Sequence, residues 1–121
     1  MTGDDPYNEA VRRYFENPVH AGTLDGNYDE VLVSDVSESG NAVRVVLCAG
    51  LKDGKIASIR FRARGCPHLV AATELICGDL EGTDRGELTD LVVLERLDKL
   101  EIPVTKRGRM LLIADAAKGL K

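Results

Sequence analysis

Two spacings of hydrophobic residues alternate along this chain, and the switches between them mark its elements. Asp5-Pro6 opens a helix, with a capping carboxylate followed by proline at the first helical position. Tyr7, Val11, Tyr14 and Phe15 then share one face until Asn17-Pro18 stops it. A period of two follows. Residues 30–36 and 43–49 read as strands joined by the polar loop Ser37-Glu38-Ser39-Gly40-Asn41, and Lys52-Asp53-Gly54-Lys55 is a hairpin turn. In the third strand, residues 56–64, Ile59, Phe61 and Ala63 alternate with Arg60, Arg62 and Arg64, so one face is buried and the other is basic. The helical period returns after Gly65-Cys66: Pro67 suits a first turn, and Leu69, Ala72, Ile76 and Leu80 follow until Gly82. Thr83 or Asp84 caps a further stretch carrying Leu88, Leu91, Val92 and Leu97, in one piece or two. Glu101-Ile102-Pro103 is a loop, and Met110, Ile113, Ala114 and Ala117 mark a last helix closed by Gly119. The pattern predicts an α+β fold: an N-terminal helix, a three-stranded antiparallel sheet with one solvated face, then three or four helices packed on the other face.

Composition narrows the class. At 121 residues, with 44% hydrophobic and 30% charged positions, the chain reads as one globular domain spanning residues 1–121. Three cysteines do not make a disulfide framework, and no apolar run approaches the roughly 18 residues of a membrane span. Acidic residues stand at the N-terminus where a signal peptide carries basic ones, so the expectation is a cytoplasmic protein with reduced thiols and no membrane association. The net charge of −4 is uneven: residues 1–40 hold nine acids and two bases, and residues 41–121 hold eleven acids and fourteen bases. Without an overall basic excess, nucleic acid is not an expected partner.

The residues with most chemical content are Gly65-Cys66-Pro67-His68, where strand meets helix. A thiol at a helix N-terminus feels the positive end of the helix dipole, which favours its thiolate. His68, two residues on, is placed to assist that thiol or to ligate a metal. Cys48 and Cys77 lie in apolar segments and read as packing residues, and His20 as a turn residue that satisfies backbone groups. The arginine stripe is a solvated face, with partner docking as its sharper alternative. Walker, dinucleotide, HExxH and CxxC signatures are absent. Cys66 and His68 sit too close along one helical turn to face each other as nucleophile and base, so no enzymatic reaction is expected.

Tyr14-Phe15-Glu16-Asn17-Pro18-Val19-His20-Ala21-Gly22, Gly65-Cys66 after an arginine-bearing strand, and Leu100-Glu101-Ile102-Pro103 ahead of a helix with Ala114-Asp115-Ala116 together resemble the iron-sulfur cluster assembly scaffolds, the IscU and NifU N-terminal domain family. The resemblance runs from about Tyr7 to Leu120 and implies the same element order. It also implies three cysteine ligands helped by an aspartate and a histidine, of which only Cys66 has a counterpart here. The family's Ala-Cys-Gly-Asp loop reads Ser39-Gly40-Asn41-Ala42, and its later histidine and cysteine fall on Gly108 and Arg109. The chaperone-recognition segment corresponds to Ile102-Pro103-Val104-Thr105-Lys106, making Ile102, Pro103 and Lys106 the implied partner-binding residues. The family register turns Val46 and Cys48 inward, whereas the run Val45-Val46-Leu47 leaves either parity open.

The expectation is therefore a degenerate scaffold that holds no cluster alone and binds partners of the pathway, such as a cysteine desulfurase. The alternative is a persulfide acceptor working through Cys66. An iron-sulfur cluster or zinc would need ligands from another chain, for instance Cys66 and His68 of two copies in a homodimer.

Overall fold

The computed structural model describes residues 9–37, 43–65, 67–84 and 107–120. Asp5-Pro6, the stretch expected to be helical after Thr83-Asp84, and Ile102, Pro103 and Lys106 lie outside them. The described chain runs α1 (Glu9–Glu16), β1 (Glu30–Ser37), β2 (Arg44–Lys52), β3 (Lys55–Arg64), α2 (Pro67–Leu80) and α3 (Arg107–Lys118). The strands form one antiparallel sheet in the order β1-β2-β3. The expected α+β architecture is what the protein adopts.

β2 extends past the expected Ala49 to Lys52, because Leu51 pairs with Ile56 across the hairpin and is buried there. Asp53 and Gly54, with φ of 56° and 77°, make the two-residue turn whose twist suits antiparallel neighbours. Ala49 lies opposite Ile59, Leu47 opposite Phe61 and Val45 opposite Ala63, so these residues form the inner face. The register implied by the family resemblance is corrected here: Val45, Leu47 and Ala49 point into the core, while Val46 and Cys48 belong to the outer face. A central strand covered on both sides carries no alternation of its own, so its parity follows from the amphipathic strand beside it. Cys48 is accordingly half-buried rather than part of the core, whereas Cys77 is fully buried in α2.

α2 and α3 cover the inner face, α2 against β3 and α3 against β1 and β2, while α1 rests on α2. Val11 anchors α1 and Tyr14 packs against the core, but Phe15 is 42% exposed, so the apolar face of this helix is narrower than its sequence implies.

The free edge of β3 is closed by two returning segments. Phe61 N–H donates to the His20 carbonyl (3.0 Å) and Gly22 N–H to the Phe61 carbonyl (2.9 Å). Further along, Ile56 N–H donates to the Thr83 carbonyl (2.8 Å) and Gly82 N–H to the Ile56 carbonyl (2.7 Å). Backbone groups that would otherwise template pairing with another chain are thereby satisfied.

Candidate functional site

The strand register brings the end of β1, the start of β2 and the end of β3 to one end of the sheet. Ser37 pairs with Arg44, and Arg44 with Arg64. Gly65, which follows β3, therefore lies at the same end of the sheet as Ser37 and Val43. Cys66 itself lies outside the described residues, between two that are described. At Gly65 a Cβ would stand 2.6 Å from Leu69 Cδ2, so the missing side chain lets the first turn of α2 close against the strand end. Pro67 begins α2, where its lack of an N–H costs nothing. His68, the residue expected to assist Cys66 or a metal, is only 3% exposed.

The outer face at this end is basic. Arg44, Val46, Arg62, Ala63 and Arg64 line an open cavity of about 210 Å³. Arg44 grips Asp35 through two bonds, Nε to Oδ1 at 2.9 Å and Nη2 to Oδ2 at 2.5 Å. The hydrogen bond from Arg44 holds the Asp35 carboxyl below its usual range, and the charges of Arg44 and Arg62 add to it against the opposing effect of desolvation.

The other two cysteines lie within regular elements, Cys77 in α2 and Cys48 in β2. Cys77 lies inside α2, where burial pushes its thiol well above the ordinary value and the nearby Glu74 and Glu81 carboxylates push it further. Cys48 sits opposite Arg60 in mid-strand. Among the described residues, no group of three or more His, Cys, Asp and Glu side chains is placed to hold a metal ion.

A second polar cluster, which the sequence did not reveal, lies at the side of β3. His20 donates its backbone N–H to Glu74 Oε1 (2.7 Å) and its ring Nδ1 lies 2.5 Å from Glu74 Oε2. The carboxylate has no proton to give, so Nδ1–H is the donor. Glu81 Oε1 stands 3.5 Å from His20 Nε2, and Glu81 Oε2 accepts from Ile59 N–H and from Arg60 Nη1, both at 3.0 Å. The available signal was Glu74 itself, a carboxylate inside the apolar run of α2, which needs a buried partner.

Desolvation raises the Glu81 carboxyl, but the Ile59 and Arg60 hydrogen bonds and the His20 and Arg60 charges outweigh it, so it rests below its ordinary 4.5. A lowered folded pKa stabilises the fold above the unfolded value and loses that contribution as pH falls through the folded one. The urea midpoint is therefore expected to drop on acidification below 4.5, with a shallower drop in Glu81→Gln. Identical acid limbs in the two proteins would contradict this.

Comparison with known proteins gives a consistent result. The model of the NifU-like N terminal domain matches residues 6–119. The iron-sulfur cluster assembly scaffold protein IscU of Escherichia coli K12 is 26% identical over 114 residues, covering 93% of this chain and 88% of its own. The iron-sulfur cluster assembly enzyme IscU of Drosophila melanogaster is 26% identical over 120 residues, covering 93% and 73%. Among solved structures, a putative iron-sulfur cluster assembly scaffold protein for the SUF system from Fervidobacterium islandicum superposes with a TM-score of 0.72 at 16% identity, over 99% of this chain and 100% of the other. The N-terminal part of a NifU-like protein from Brucella abortus gives 0.70 at 17% identity, over 96% and 92%. At these identities the structural likeness establishes the fold.

Proposed function

The chain belongs to the NifU-like N-terminal domain family, the family of iron-sulfur cluster assembly scaffolds, and from that premise we propose that it is a degenerate member that holds no cluster within one chain and works by binding proteins of the assembly pathway, a cysteine desulfurase among them. The carrying observation is the ligand set. Of the family's three cysteine positions only Cys66 keeps its thiol, with Ser39-Gly40-Asn41-Ala42 in the first ligand loop and Gly108-Arg109 at the last. Common clusters take four ligands, mostly thiolates. Cys77 does not substitute: it lies ten positions past Pro67, about 15 Å of axial rise along α2, and its thiol is held protonated by burial.

In this reading the protein performs no catalysis of its own, works in the cytoplasm, and has neither nucleic acid nor a membrane as partner. No helix among the described residues is long and apolar enough to cross a membrane. A zinc or cluster site shared between two copies would need Cys66 and His68 from each, and the burial of His68 speaks against that arrangement. The chaperone-contact role of Ile102, Pro103 and Lys106 belongs to the same proposal.

A second reading, sulfur acceptance by Cys66, is favoured by its position immediately before Pro67, the first residue of α2. The Cys66 thiolate attacks the terminal sulfur of a donor persulfide. A new S–S bond forms at Cys66 as the donor's S–S bond breaks, and the donor cysteine leaves as a thiolate.

Anaerobic incubation with iron and sulfide tests the main reading. The expected result is no stable visible absorption on the monomer, and a stable cluster lost in Cys66→Ala would overturn it. Incubation of the same protein with a small-molecule persulfide separates the second reading, which requires a mass increase of one sulfur atom on Cys66 that Cys66→Ala lacks.

A further inference from the structure

On the outer face of β3, Arg60, Arg62 and Arg64 recur at every second residue, about 7 Å apart along the strand. Arg60 is engaged at the side of the sheet, with Nη1 on Glu81 Oε2 (3.0 Å) and on the Ile59 carbonyl (2.8 Å). Arg44, directly opposite Arg64, is held in two-point contact by Asp35. Among the described residues no carboxylate forms an ion pair with Arg62 or Arg64. The cavity of about 210 Å³ between these side chains thus sees three guanidinium groups and one carboxylate. That local excess is opposite in sign to the −4 of the whole chain, so the field it presents to an approaching anion is confined to this cleft.

The geometry selects among anions. Arg62 and Arg64 leave the strand about 7 Å apart, the same repeat at which an extended acidic segment presents carboxylates on one face, and each guanidinium can take one of them in a two-point grip. A long polyanion following the sheet would leave the cleft over β1, where Asp35 and the exposed Val31 (53%) and Val33 (61%) share the face. Apolar contact beside charge is the mixture of a protein interface.

We propose that the cleft of Arg44, Arg62 and Arg64 docks an acidic segment of a partner protein, with carboxylates at alternate positions engaging Arg62 and Arg64. The idea deepens the partner-binding function proposed above by naming the partner's chemistry, and it rests on that reading only for the identity of the pathway. Because Arg64 ends β3 and α2 begins at Pro67, a segment held there brings its protein to the end of the sheet from which α2 departs.

The test uses the full chain and a fluorescent peptide alternating aspartate and serine. Binding is expected to weaken as salt rises and to fall at least about tenfold in Arg62→Glu/Arg64→Glu, with circular dichroism confirming the fold. Arg62→Gln/Arg64→Gln, which introduces no new repulsion, is expected to lose binding in the same direction. Absence of binding at low salt, or equal binding by wild type and both variants, would overturn the proposal. Competition by inorganic phosphate or a single-stranded oligonucleotide at concentrations no higher than the peptide's would overturn it in favour of phosphate recognition. The anaerobic iron and sulfide experiment is independent: a cluster there leaves this result standing, and peptide failure leaves the ligand argument intact.

Discussion

Glu74→Ala is expected to lose about 2–5 kcal/mol of folding stability, the scale for leaving two buried donors without their acceptor. Glu74 is 3% exposed, and both of its oxygens are used by one residue, the backbone N–H and the ring Nδ1–H of His20. Alanine leaves two donors facing a space that water does not readily fill. The consequence spreads through the chain. The His20 carbonyl accepts from Phe61 N–H, so loosening His20 also loosens the strap that closes the β3 edge. Urea unfolding measures the loss, and hydrogen exchange at the Phe61 amide should accelerate more than at the interior β2 amides. Glu74→Gln is expected to fall between wild type and alanine, because its carbonyl oxygen still accepts one of the two bonds. A Glu74→Ala midpoint equal to wild type would show that the pair contributes nothing.

Gly50→Val gives the second largest effect, and its sign runs against strand propensity. Valine favours a central strand and glycine disfavours it, so local preference alone makes this substitution stabilising. A Cβ at Gly50, however, would stand 2.5–2.6 Å from Cγ, Cδ1 and Cδ2 of Tyr28, whose ring lies flat on the glycine backbone. The ring is held there at its hydroxyl and over its face. Its hydroxyl donates to the Asp25 carbonyl at 2.9 Å, and Lys52 Nζ stands 5.6 Å from its centroid. Valine must expel the ring and strain the segment leading into β1, where Asp29 N–H donates to the Leu51 carbonyl at 2.8 Å. We expect a loss of about 1–3 kcal/mol, typical of overpacking, with an altered Tyr28 fluorescence signal in the folded protein. The double variant Gly50→Val/Tyr28→Ala should recover part of the stability, since it removes the collision. A Gly50→Val protein more stable than wild type would refute the close approach.

Legibility differed among the strands for one reason. β3 announced both its structure and its orientation, because Ile59, Phe61 and Ala63 face the core while Arg60, Arg62 and Arg64 face away from it. β2 announced only that it is a strand. Both of its faces are covered, so Val45 and Val46 look alike along the chain, and the implied inward placement of Val46 and Cys48 was reversed by the pairing with β3. α2 behaved similarly: its start at Pro67 and end at Leu80 were readable, but burial of Ala71 through Cys77 on nearly every side left no polar stripe to orient it.

The candidate site divides along the same line. The alternation of strand and helix periods and the arginine stripe of β3 are properties of the chain itself, and they determined the α+β class. Tertiary structure decided where His20 finds its acceptor, which is in a helix 54 residues away. It also decided that Arg44 arrives opposite Arg64, and that Tyr28 closes over Gly50. Periodicity records which face of an element avoids water, and that is a local property. Partner choice between distant segments depends on strand register and on the shape of the packed core, which no single segment carries.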